Sequence, residues 1–138
     1  VKKYAVLLIL LILISAVDVQ AASYPEWRPD PPMPERPHLT KTDGTFLGVN
    51  GVETYYNLNM SKIITKMRGL GYDAETYPYY IREDGAKMLG EYVMCAADYD
   101  IRPVGTILET SLGYALVCDT GAFAFGKVTT QIDLATDW

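Results

Sequence analysis

The sequence predicts a small, mostly β barrel with one amphipathic helix packed outside it. Three observations carry that expectation. From Tyr79 onward, short runs rich in apolar and β-forming residues alternate with Gly and Pro, which is the punctuation of a small barrel rather than of a helical bundle. Only the stretch Asn59 to Gly69 shows a clear helical period. Once an N-terminal leader and a proline-rich stretch are set aside, about 95 residues remain, enough for one small core.

Lys2 and Lys3 precede an almost wholly apolar run from Ala5 to Val17, closed by Asp18, and Val19-Gln20-Ala21 supplies the small residues that a signal peptidase reads. Thirteen residues fall short of the ~20 that span a bilayer, so residues 1–21 are expected to be an export signal rather than a membrane anchor, with no stable membrane span after processing. Residues 22–45 hold Pro25, Pro29, Pro31, Pro32, Pro34 and Pro37, six of the eight prolines. Proline lacks a backbone donor and favours extended chain, so this stretch reads as a semi-rigid tether. Residues 46–138 are then a single domain, with a helix at 59–69 and a barrel over about 79–138.

Within that domain Met60, Ile63, Ile64 and Met67 fall at i, i+3, i+4 and i+7. Asn57 or Asn59 is placed to cap the start and Gly69 to end the helix. Asp84-Gly85 is a turn signal, Lys87-Met88-Leu89 a short strand, and Tyr92 to Ala97 a longer one running into Asp98. Pro103 bars a central ladder at Arg102–Gly105, after which Ile107 to Glu109 resumes as strand. A turn at Ser111-Leu112-Gly113 leads into the Tyr114 to Cys118 strand, and Asp133 sits between Ile132 and Leu134. The tyrosines around the helix, Tyr55, Tyr56, Tyr72, Tyr77, Tyr79 and Tyr80, are read mainly as cover for the core. A flat ring with a polar edge also suits a sugar.

Composition excludes several functions. Removal of residues 1–21 leaves 10 basic and 16 acidic side chains, a poor balance for nucleic acid, whose affinity comes largely from phosphate neutralisation. The single histidine, His38, lies in the tether, so Ser-His-Asp and Cys-His sites and a His-ligated zinc are not expected in the folded domain. No metal and no cofactor are predicted. Strand alternation turns Cys95 and Cys118 away from the neighbouring aspartates; export permits a disulfide between them, and two buried free thiols are the alternative. What is left for chemistry is carboxylate. Asp98, Asp119 and Asp133 each end or interrupt an apolar run, and three carboxylates gathered at one barrel mouth would repel one another and raise at least one pKa.

The order of these pieces resembles the 3D (three-aspartate) domain, a double-psi β-barrel shared by the membrane-bound lytic transglycosylase A family and secreted cell-wall proteins of Gram-positive bacteria. Ala96-Ala97-Asp98, Pro103-Val104-Gly105-Thr106, Leu112-Gly113-Tyr114-Ala115, Asp119-Thr120-Gly121 and Ile132-Asp133-Leu134 match in order and spacing over about the last fifty residues. Ala122 stands where the family has a second Gly, and Phe123-Ala124-Phe125-Gly126-Lys127 departs from its usual continuation.

The resemblance implies a secreted or wall-associated bacterial protein that acts on peptidoglycan glycan strands. It implies Asp133 as the general acid, Asp119 as the neighbouring carboxylate that tunes it and Asp98 as the third member, with Thr120, Gly121 and Tyr114 binding substrate. In such an enzyme one acid protonates the bond between N-acetylmuramic acid and N-acetylglucosamine and then serves as base. The alternatives are a noncatalytic wall-binding or accessory module, and a structural domain whose aspartates only pin loops, as Asx turns do at Asp98 and Asp119.

Overall fold

The computed structural model describes residues 36–121 and 131–138, so the leader, most of the tether and the segment 122–130 lie outside the described residues. Eight strands and one helix follow in the order β1 (Thr45–Gly48), β2 (Gly51–Tyr56), α1 (Ser61–Gly69), β3 (Tyr79–Ile81), β4 (Lys87–Leu89), β5 (Tyr92–Ala96), β6 (Ile107–Thr110), β7 (Gly113–Asp119) and β8 (Ile132–Ala135). The described residues are mostly β, with a single sheet and one short helix among them. No helix among the described residues is long and apolar enough to cross a membrane.

β5 is the hub of the sheet. β4 pairs with its first residues and β8 with its last, both antiparallel, while β7 runs parallel to it with β6 hairpinned beyond. β2 joins β8 in parallel and β1 folds back on β2, so the path runs β1-β2-β8-β5-β4-β3. Among the described residues this path does not close on itself, which departs from the closed barrel expected. The strands from β3 onward fall where Gly and Pro punctuation places them. The hairpin β1–β2 does not: it belongs to the same sheet although the barrel was expected to begin near residue 79. The ordered core also begins earlier than residue 46, because Leu39 is fully buried and its amide donates to Ser111 Oγ at 2.9 Å.

Side chains alternate across the sheet and build a core on each face. Val93, Cys95, Ala115, Val117, Ile132 and Leu134 lie on one. Met94, Leu116, Cys118 and Ala135 lie on the other, where Met60, Ile63 and Met67 of the helix cover them. The apolar stripe of α1 is thus packed on the sheet, as its period predicts. Its ends differ in detail. The N-cap is Met60, without a side-chain cap, while Asn59 Oδ1 accepts from the Ser61 amide at 3.0 Å. At the other end Gly71, at φ +100°, makes the left-handed turn that lets the Tyr72 amide donate back to the Met67 carbonyl at 3.1 Å. Lys87 is buried on β4, and its ammonium donates to Asn57 Oδ1 at 2.6 Å and to the Leu58 carbonyl at 2.7 Å. These bonds tie the β2–α1 connection to the sheet, and burial lowers the Lys87 pKa.

Candidate active site

Sheet register sets out the site. Thr54 pairs with Asp133, Asp133 with Ala96, and Ala96 with Asp119, so β2, β8, β5 and β7 lay these four residues in one row. Asp119 reaches the row through an irregularity. Cys95 pairs with Val117 but Ala96 with Asp119, so Cys118 is an extra residue in β7. The extra residue resets the alternation and brings Asp119 into register beside Ala96. Alanine at position 96 keeps the space between the two acidic strands low.

Asp133 is half-buried. Its Oδ1 accepts from the Thr54 hydroxyl at 2.7 Å, and that hydroxyl accepts from Gln131 Nε2 at 2.9 Å. Burial raises the Asp133 pKa, and the Thr54 hydrogen bond offsets the rise in part. The source differs from the expected one: removal from water, not repulsion by the other carboxylates, raises the Asp133 pKa. Asp119 Oδ1 accepts from the Thr120 amide at 2.8 Å, and its Oδ2 faces the Tyr56 hydroxyl at 3.4 Å, long for such a pair. Burial first, and then the charges of Cys118, Asp119, Cys95 and Asp133, raise the Tyr56 pKa and keep its hydroxyl protonated. Nearby, Lys66 of α1 donates to the Tyr99 hydroxyl at 2.9 Å with its ammonium 5.5 Å from the ring centroid. Its charge also acts on Cys118.

The structure brings Asp119 and Asp133 together and gives Asp98 other work. Asp98 lies two residues past Ala96, where its Oδ1 accepts from the Asp100 amide at 3.0 Å and its carbonyl from the Ile101 and Arg102 amides. It caps the loop as an Asx turn does. Thr120 adjoins the site through its amide, and Gly121 is the last described residue before the segment 122–130. Tyr114 is placed elsewhere: it is the second residue of β7 while Asp119 is the last, and four strand residues between them set the two about 16 Å apart. Its exposed ring instead lines a surface cavity of 660 Å³ with Phe46, Leu47 and Val49.

The cysteines are both free. Cys95 belongs to one core face and Cys118 to the other, so the sheet stands between the sulfurs and the disulfide considered from sequence is not formed. Alternation also fails for Cys118, because the extra residue in β7 leaves it within electrostatic reach of Asp119 and Tyr56. Burial pushes its thiol up to about 12, and burial raises Cys95 well above its ordinary value. Both thiols should therefore resist alkylation in the native protein and react in denaturant, and the intact mass without reductant should be that of the dithiol.

Thr54, Tyr56 and Gln131 are the site residues that sequence reasoning missed. The available signal was Asn50-Gly51 between Thr45–Gly48 and the β-rich Val52-Glu53-Thr54-Tyr55-Tyr56, which marks a hairpin and puts Thr54 and Tyr56 on one face. Among the described residues no group of His, Cys, Asp and Glu is placed to hold a metal ion. No protein family, curated protein or solved structure matches the chain.

Proposed function

We propose that this protein is an exported, peptidoglycan-acting domain of the double-psi β-barrel type that cleaves the muramic acid to glucosamine linkage as a lytic transglycosylase does. The observation that carries the reading is Asp133: a half-buried acid of raised pKa, in register across Ala96 from a second carboxylate, with no cation among its hydrogen-bond partners in the described residues. An acid that holds its proton longer than an ordinary aspartic acid suits general acid catalysis. Asp133 gives its proton to the glycosidic oxygen as the C1–O bond breaks, and Asp119 stabilises the positive charge that develops at C1. The Asp133 carboxylate then takes the proton of the muramyl 6-hydroxyl as that oxygen bonds C1, which closes a 1,6-anhydro ring and restores the acid without water. One acid is enough for both steps, so the commitment of Asp98 to its loop is no obstacle.

The test is chemical. Purified sacculi treated with the protein should yield fragments with anhydro ends by mass spectrometry. Sedimentation with sacculi and no fragments would instead favour the wall-binding module, and neither would leave a structural domain. The rate should also fall as pH rises through the Asp133 midpoint, because deprotonation removes the acid, and burial places that loss above the range of a free aspartate. Since burial sets the midpoint, Asp119→Asn should lower the rate while leaving that limb of the pH profile nearly in place.

A further inference from the structure

Gln131, Thr54 and Asp133 form a directed chain. Gln131 Nε2 can only donate, and it donates to Thr54 Oγ1 at 2.9 Å; Thr54 Oγ1 lies 2.7 Å from Asp133 Oδ1. A hydroxyl has one hydrogen. If Thr54 accepted from both neighbours, that hydrogen would be left without an acceptor, so the Gln131 bond favours the arrangement in which Thr54 donates to Oδ1. Among the described residues Asp133 Oδ2 has no hydrogen-bond partner. We infer that Gln131 and Thr54 are positioning residues that hold Asp133 Oδ1 as an acceptor and so place the acidic proton on Oδ2, the oxygen left for the ligand. The inference rests on the reading of Asp133 as the acid.

The geometry supports this from two independent strands. Thr54 comes from β2 and is fixed opposite Asp133 by parallel pairing, whereas Gln131 precedes β8 by one residue and shares the face of Asp133 by alternation. A carboxylic acid without such a chain could carry its proton on either oxygen, and half of its population would present an acceptor where the glycosidic oxygen needs a donor. Fixing the protonated oxygen serves the acid as orienting a histidine tautomer serves a base.

Asp133 is followed by carboxyl-carbon NMR across pH in the wild-type protein and in Thr54→Val, Thr54→Ser and Gln131→Met, with anhydro-end release measured in parallel. Thr54→Val removes the one hydrogen bond that lowers the Asp133 pKa, so its midpoint should rise, and Gln131→Met should move it the same way by less. Thr54→Ser keeps the donor and should titrate as wild type. Release should fall roughly 10-fold in Thr54→Val and be restored in Thr54→Ser. An unchanged midpoint in Thr54→Val, or an equal shift in Thr54→Ser, overturns the proposal whether or not the wild-type protein cleaves glycan. If Thr54→Val does not fold, the Gln131→Met midpoint decides, and no shift there overturns it. The expected shifts without anhydro ends from the wild type support the relay and overturn only the transglycosylase reading.

Discussion

Asp133→Asn should lower the release of anhydro ends by ~10² to 10⁴-fold, the usual cost of losing a general acid, and at neutral pH it should make the protein more stable. Both effects have one cause. An amide keeps the size of the side chain and can still accept from the Thr54 hydroxyl, but it has no acidic proton to give and no charge to desolvate. The pKa of Asp133 is raised by folding, so the wild-type side chain favours the fold while protonated and loses that contribution as pH rises through its folded midpoint. The stability difference between variant and wild type should therefore be largest at neutral pH and should vanish toward pH values at which Asp133 is protonated in both states. Thermal unfolding at several pH values measures it. A variant that is inactive because it is damaged would be less stable at every pH.

The second large effect lies away from the site, at Glu53. Its carboxylate is fully buried on β2, where it accepts from the Ser111 amide at 3.0 and 3.1 Å and from the Ser111 hydroxyl, which in turn accepts from the Leu39 amide. One side chain thus ties the first hairpin, the β6–β7 turn and the entering chain together. Glu53→Ala leaves the Ser111 donors unsatisfied and a cavity behind, at a cost of about 2–4 kcal/mol, read as a lowered denaturant midpoint. Gly48→Ala attacks the same contact from the other side, since a Cβ there would stand 2.0 Å from Glu53 Oε1. The two substitutions should be far from additive, because each removes what the other perturbs. Thr54 and Tyr56 follow Glu53 on β2, so a loosened hairpin should also weaken the site.

Local chemistry made much of the fold legible. Gly90, Pro103 and Gly113 mark the ends of β4 to β7 in the sequence itself, and the apolar spacing of Met60, Ile63 and Met67 marks the helix and its buried face. Asp133 could be singled out because an acid between Ile132 and Leu134 has no reason to be there as a loop residue. The rest depends on pairings between residues far apart in the chain. Thr54 meets Asp133 across 79 positions, and nothing near either residue specifies that two parallel strands will join there. The extra residue at Cys118 is likewise invisible in an alternating run, yet it decides which face Asp119 occupies and undoes the simple reading of the cysteines. Tyr114 shows the same limit from the other direction: a residue close to Asp119 in sequence is carried away by the length of the strand between them.

The proposed chemistry requires Asp133 to be an acid that burial keeps protonated beyond the ordinary carboxylate range, and carboxyl-carbon NMR of the wild-type protein across pH measures this directly. The prediction is an Asp133 midpoint above that of an unperturbed aspartate, about 3.9, and above that of Asp73, whose pKa the Thr76 and Glu75 amides lower. An Asp133 resonance that titrates at or below the unperturbed value would contradict the account, because an aspartate ionised that readily could not serve as its general acid.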